Sequence, residues 1–412
     1  MEKNNKKILK FPKNFLWGTS TSAYQVEGGI KNDWSEWEND ELRIKNLKLK
    51  GLNPDNFVCE KACDFYHLYE EDFDLAVRLN NNAVRFGIEW ARIEPKEGKW
   101  NMDEIEHYRK VLQAAKKRNL KVVLTLWHWT NPIWIAKNGG WVNKKTVNYF
   151  TRYVELIVKE LGEYVSFWIT LNEPMVHILN GYITGKFPPN EKDLTRAKFV
   201  FSNLIKAHNK SYQIIHNKYP QARVSITKLV NYFEPAREWC PNEWILAKIF
   251  HYFWNHKFLN KVKKQLDFIA FDYYFHDRIV WYPPFIKNKN KEVTDMGWEI
   301  YPEGIYHVIK YLAKFNKPIY IMENGLADKN DIKRADFIIN HLKYVHKAIK
   351  EGVDVRGYFY WSLLDNFEWA HGWEPKFGLY EMDRATLKRT ARPSAGVYRE
   401  ICRSNLINVN NQ

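Results

Sequence analysis

The chain has 412 residues, 45% of them hydrophobic and 27% charged, with four cysteines and a formal net charge of +15. A chain of this length buries a large core without metals or disulfides, which excludes a stapled mini-protein and a disordered polyelectrolyte. No apolar run reaches the roughly 18 residues of a membrane span, and the lysines are scattered through helical stretches rather than gathered in one motif, so neither a membrane nor a nucleic-acid partner is expected.

Residues 1–10 are basic and have no apolar stretch behind them, so they read as a short tail and not as a secretory signal. Residues 11–412 read as one domain. Short β-branched or aromatic runs at 15–20, 83–89, 121–127, 165–171, 223–227, 268–273, 318–322 and 356–361 alternate with amphipathic segments. Val147, Phe150, Val154, Ile157 and Leu161 recur at helical spacing, as do Ile338, Leu342, Val345 and Ile349. Eight strands alternating with helices predict a closed (β/α)8 barrel. Cys59 and Cys63 have no second Cys or His pair to complete a zinc site, so the cysteines read as structural or surface thiols. A reducing, cytoplasmic location fits them best.

In such barrels the chemistry lies at the C-terminal ends of the strands. The second predicted strand carries Arg85 and runs into Glu89-Trp90, and the third ends in Trp127-His128-Trp129. The fourth ends in Asn172-Glu173-Pro174, the sixth in Asp272-Tyr273-Tyr274 and the seventh in Glu323-Asn324-Gly325. The eighth ends in Trp361, with Asp365, Glu368 and Trp369 soon after. A single strand-end glutamate is more often a salt-bridge partner than a catalyst. Two of them, with a His, an Asn, an Arg and several Trp on one rim, are what glycoside hydrolysis needs: one carboxyl to protonate the leaving oxygen, one carboxylate to meet the oxocarbenium-like carbon, and flat rings for the sugar. No phosphate loop, Ser or Cys nucleophile motif or metal-ligand cluster competes with that reading, and no cofactor is implied. Pro174 is expected to hold Glu173 in the extended region.

At these residues the chain resembles glycoside hydrolase family 1. Phe11 to Gly29 is similar to the family's N-terminal signature, Thr170 to Pro174 to its acid/base motif, Tyr320 to Gly325 to its nucleophile motif, and Trp361 to Trp369 to its sugar-binding segment. The resemblance implies a retaining exo-β-glycosidase acting on terminal β-D-glucosyl or β-D-galactosyl residues, fucosyl among the options, with transglycosylation open to it. It implies Glu173 as acid/base, Glu323 as nucleophile, and Arg85 and Tyr274 beside the nucleophile. Asn172 would hold the sugar 2-hydroxyl. Gln25, His128 and Glu368 would take the other hydroxyls, Trp129, Trp361 and Trp369 would contact the sugar, and Trp298 would wall the aglycone site.

Beside an Arg85 cation, Glu323 is expected to have a lowered pKa, and a partly desolvated Glu173 a raised one. A retaining pair needs its carboxyl groups about 5–5.5 Å apart. Asp272 stands where the family usually has Asn, which adds a carboxylate near Glu173. The stretch 228–267 is shorter than in typical members, which predicts an open aglycone side. A 6-phospho-glycosidase and a non-catalytic sugar-binding protein are the alternatives. Glu368 argues against the first, since a carboxylate repels phosphate, and the intact glutamate pair argues against the second.

Overall fold

Strands form where the β-branched and aromatic runs were predicted, and their order sets the architecture. The computed structural model describes residues 7–409. In chain order the strands are β1 (Lys7–Lys10), β2 (Leu16–Ser20), β3 (Ala83–Gly87), β4 (Lys121–Thr125), β5 (Phe167–Ile169), β6 (Val224–Ser225), β7 (Thr227–Leu229), β8 (Tyr232–Pro235), β9 (Ile269–Asp272), β10 (His276–Ile279), β11 (Ile319–Asn324), β12 (Val355–Trp361), β13 (Tyr380–Met382), β14 (Arg389–Ala391) and β15 (Leu406–Val409).

One parallel sheet runs β6-β5-β4-β3-β2-β12-β11-β9-β7. Only Ile226 separates β6 from β7, so these two are the halves of the fifth barrel strand. Ser225 accepts from the Thr170 amide at 3.0 Å, and the Thr227 amide donates to Leu171 at 3.1 Å, which carries the hydrogen bonding across the break. The nine strands are thus an eight-stranded barrel, as the alternation predicted. Among the described residues three small pairs lie outside it: β1–β15 and β13–β14, both antiparallel, and a parallel β8–β10 ribbon. Residues 7–10, predicted as tail, are the first of these strands.

Inside the barrel, Leu16, Val123, Phe167, Ile169, Phe268, Tyr320, Met322 and Phe359 pack into one buried cluster. The helix Lys145–Leu161 turns Val147, Phe150, Val154, Ile157 and Leu161 onto the outer face of the sheet, all buried. Each such side chain contributes roughly 1.5–3 kcal/mol by leaving water. The helix Arg334–Lys350 does the same with Ile338, Leu342 and Val345.

The strands end a residue or two earlier than predicted on several edges. β3 stops at Gly87, and Glu89 caps the following turn, accepting from the Ala91 amide at 3.4 Å. All four cysteines are buried and free. Cys59 and Cys63 donate to the carbonyls of Tyr24 and Asp365, a structural use of their thiols.

Candidate active site

The barrel places the strand-end residues around one cavity of about 570 Å³ at the C-terminal rim. Gln25, His128, Trp129, Glu173, Tyr274, Trp298, Glu323, Trp361, Glu368 and Trp369 all line it. Arg85 and Asn172 lie just beneath, buried and in contact with the lining residues.

Glu323 ends β11 among donors. Arg85 makes a buried ion pair with one carboxylate oxygen, and the Tyr274 hydroxyl donates to the other at 3.1 Å. The second arm of the Arg85 guanidinium reaches Asn172 Oδ1, and its Nε donates to Thr125 Oγ1 at 3.2 Å. Thr227 donates to the same Asn172 oxygen at 2.5 Å. Asn172 Nδ2 then meets His128 Nε2 at 2.9 Å. Burial and the Arg85 charge hold His128 well below its ordinary pKa, so the ring is neutral. With Nε2 accepting from the amide, Nδ1 carries the hydrogen, and that atom has no partner among the described residues.

One oxygen each of Glu173, Asp272 and Glu323 lies within 4.8 Å of the others. Burial raises all three pKa values. For Glu323 the Arg85 cation and the Tyr274 phenol pull the other way. The expected lowering by Arg85 is therefore present, but desolvation outweighs it. For Glu173, Asp272 and Glu323 push in the same direction as burial, and the buried Lys228 opposes. Glu323 is accordingly the first of the three to ionise, and its charge keeps the proton on its neighbours.

Glu173 is not extended. Its φ of 42° and ψ of 58° are left-handed, and it caps the helix Pro174–Ile178. Proline disfavours the right-handed helical region for the residue before it. The chain meets that restriction by turning left, because the Glu173 amide donates to Thr227 at 3.1 Å while the helix begins at once. Trp129 (φ 76°) and Trp369 (φ 51°) share this conformation. Three non-glycine side chains of one cavity thus sit in a region costing about 1–3 kcal/mol each, which the surrounding fold must offset. Gly325 is needed for a different reason: a Cβ there would lie 1.8 Å from the Trp361 carbonyl oxygen.

At the closed end, Gln25 Nε2 donates to Phe367 O at 2.7 Å and approaches Glu368 at 3.4 Å. Burial, then the Glu323 charge, pushes Glu368 up to about 8. Trp361 packs with Ala327 and Phe377. Trp369 lies against Trp129 at 4.8 Å and is stacked on His128 at 5.7 Å. At the mouth, the half-buried Trp298 contacts Phe275 at 4.5 Å. Two strand-end acids lie elsewhere. Asp365 is held by both arms of Arg392 at 2.9 and 2.8 Å, and Glu89 takes the Thr130 hydroxyl at 2.9 Å.

Sequence reasoning missed Trp254, Leu229 and Asn231, which wall the same cavity. They fall in the stretch read as trimmed, where only the aromatic run Tyr252-Phe253-Trp254 offered a signal. It also missed Lys228, because a lysine beside a strand end reads as solvated.

A parallel eight-stranded barrel with paired glutamates in an aromatic cavity at its C-terminal rim defines a glycoside hydrolase architecture. Comparison with known proteins makes this specific. The family model described as Glycosyl hydrolase family 1 matches residues 7–264 and 255–407, and the chain belongs to that family of glycoside hydrolases. It is 32% identical to Beta-glucosidase A of Acetivibrio thermocellus, over 96% of this chain and 99% of that protein. It is 30% identical to a Beta-galactosidase of Pyrococcus woesei, over 96% of this chain and 97% of that one. The solved beta-glycosidase from Pyrococcus horikoshii superposes with a TM-score of 0.88 at 37% identity, covering 97% of this chain and 96% of that chain.

Proposed function

We propose that the protein is a retaining exo-β-glycosidase that releases terminal β-D-glucosyl or β-D-galactosyl residues through a covalent glycosyl–enzyme intermediate. The observation that carries this reading is the oxygen pair of Glu173 and Glu323 within 4.8 Å. An inverting enzyme needs its carboxyl groups about 6.5–9.5 Å apart, with a water between one of them and the sugar.

The steps follow from the two environments. A Glu323 oxygen forms a bond to the anomeric carbon as the glycosidic C–O bond breaks, and the Glu173 proton passes to the leaving oxygen. The Glu323 charge is lost in the ester, so Glu173 ionises more readily. It then takes a proton from water, whose oxygen bonds to the anomeric carbon as the ester C–O bond breaks. An alcohol in place of that water gives transglycosylation.

In this reading Arg85 and Tyr274 hold the nucleophile. Asn172 meets the 2-hydroxyl, a contact that strengthens in the transition state. Gln25, Glu368 and the free Nδ1 of His128 take other hydroxyls. Trp361, Trp369 and Trp129 offer apolar faces to the glycone. Trp298, Trp254, Leu229 and Val176 give the aglycone end an apolar wall suited to aryl or alkyl leaving groups.

A panel of aryl β-glycosides, with the first-formed anomer followed by NMR, tests the proposal. Release of the β-anomer and loss of turnover in Glu323→Gly are expected. First release of the α-anomer, or turnover that survives this substitution, overturns it.

A further inference from the structure

The helix Pro241–His251 runs on through Tyr252–His256 to Lys257–Val262 and turns an apolar side to solvent. Ile245, Ile249, Tyr252 and Phe253 fall at i, i+4, i+7 and i+8, which is one side of a helix, and all four are exposed, Ile245 by 58%. Trp244 flanks them and is exposed as well. A surface helix ordinarily turns such a stripe to the core.

A second segment joins this side. Trp239, 76% exposed, stands just ahead of the helix, and the exposed Trp281 and Tyr282 follow β10. The Arg237 guanidinium carbon is 5.2 Å from the Trp239 ring centroid and 5.9 Å from that of Tyr282. Arg237 also donates to Glu243, in the first turn of the helix, at 3.0 Å. These contacts hold both segments in one face. Eight side chains about half open, each with roughly 150–250 Å² to expose, make an apolar area of roughly 800 Å², beyond the roughly 300–600 Å² of the largest patch on an ordinary monomer. The same two segments supply Trp254 and Ile286 to the wall of the catalytic cavity, so the face borders that cavity.

The charge along these segments has mainly one sign. From Arg237 to Lys264 the chain carries six Lys or Arg, Lys248 and Lys257 among them, against Glu238 and Glu243, and Arg237 already pairs with Glu243. Lys287, Lys289 and Lys291 follow Trp281 and Tyr282 with no acid between. Lys257 lies over the Phe253 ring at 4.8 Å, a cation at the edge of the apolar surface. A second copy of the chain docked here would set like charges against like, which costs affinity. An anionic surface meets them with the opposite sign.

We propose that this face docks on the surface of an anionic lipid bilayer, with its aromatic side chains in the headgroup region and its lysines at the lipid phosphates. Trp and Tyr favour that boundary because each has an apolar body and a polar tip. Lysines beside an apolar face add attraction to anionic headgroups. Among the described residues no helix is long and apolar enough to cross a membrane, so the contact is peripheral. The sequence sets a membrane partner aside for want of a long apolar run. This face is dispersed over a helix and a turn, and only folding gathers it. The docking does not rest on the mechanism proposed for the catalytic cavity.

Flotation of the full chain with vesicles of phosphatidylcholine, alone or mixed with phosphatidylglycerol, tests the assignment. Partition onto the mixed vesicles is expected, falling as salt is raised, with little onto phosphatidylcholine alone. Ile245→Ser/Ile249→Ser keeps every charge and should weaken partition at least about tenfold. Lys248→Gln/Lys257→Gln should weaken it severalfold and flatten its salt dependence. Hydrolysis of an aryl β-glycoside without lipid should be unchanged in both variants, which reports that they fold. Absence of partition onto the mixed vesicles overturns the proposal. Equal partition of the isoleucine variant does so too, since net charge alone would then explain the binding. A dimer in sedimentation that the isoleucine variant disperses would assign the face to a second copy and overturn it as well.

Discussion

Glu173 and Asp272 bring carboxyl oxygens within 4.8 Å of each other, both buried by the fold. Asp272 faces the Glu173 carboxyl and the Thr227 hydroxyl. A proton on Glu173 is therefore held between the two acids, a role an amide at position 272 would not have.

Substituting Asp272→Asn should consequently change the pH dependence. Burial, then Asp272, then Glu323 raise the pKa of Glu173. Removing the second of these lowers it. The proposed acid step requires protonated Glu173, so the alkaline limb of the kcat/KM profile should move to lower pH. A limb that stays in place or moves up would falsify the shared-proton reading.

Lys228 gives the opposite sign. It is fully buried, its Nζ lies 4.4 Å from the Trp254 ring centroid, and it donates to the Leu229 carbonyl. Burial brings its pKa down to about 7, against the upward pull of Glu173 and Asp272. As a cation it lowers the pKa of Glu173. Lys228→Met keeps much of the packed volume and removes the charge. Its alkaline limb should move to higher pH, and the shift should shrink when Asp272→Asn is added. Additive shifts in the double variant would separate the two residues.

The two terminal arms of the Arg85 guanidinium serve different partners, Glu323 through one and Asn172 through the other. Lysine keeps the charge but cannot fork. Arg85→Lys should lower kcat/KM by about 10²–10³, the range for losing one preorganised contact to a reacting group. Circular dichroism and steady-state kinetics on the same preparation check this. A loss below tenfold would mean that charge alone, and not the two-armed geometry, positions Glu323.

The barrel was legible because its strands and helices differ in hydrophobic period, and the reactive pair because both glutamates end buried strands. The break at Ile226 was not, since a single residue interrupting a ladder leaves no mark on hydrophobic alternation. The left-handed turn at Glu173 was also hidden. The proline rule disfavours one region of conformation, and only the tertiary bond to Thr227 selects between the remaining two. Asp272 was visible as an anomaly by resemblance, but its approach to the Glu173 carboxyl needed coordinates. Lys228 was invisible for a related reason: composition treats lysine as surface, and its burial depends on Trp254 arriving from a distant helix.

Glu89 tests the same electrostatics through stability. It is 2% exposed, accepts from Thr130 and the Ala91 amide, and is pushed from its ordinary 4.5 to about 7 by burial and then by Glu27. A folded-state pKa above the unfolded value means that the native state holds a proton the unfolded chain has released. That stabilisation is complete below about pH 4.5 and is lost as pH rises through about 7. Glu89→Gln keeps an oxygen for Thr130 and Ala91 but does not titrate. Groups not coupled to Glu89 titrate alike in both proteins and cancel in the difference. Relative to the native chain, the variant should therefore gain stability between pH 5 and pH 8, by up to roughly 3 kcal/mol. Thermal melts of the two proteins at both pH values measure it. A difference in Tm independent of pH would show that Glu89 is ionised in the folded state throughout.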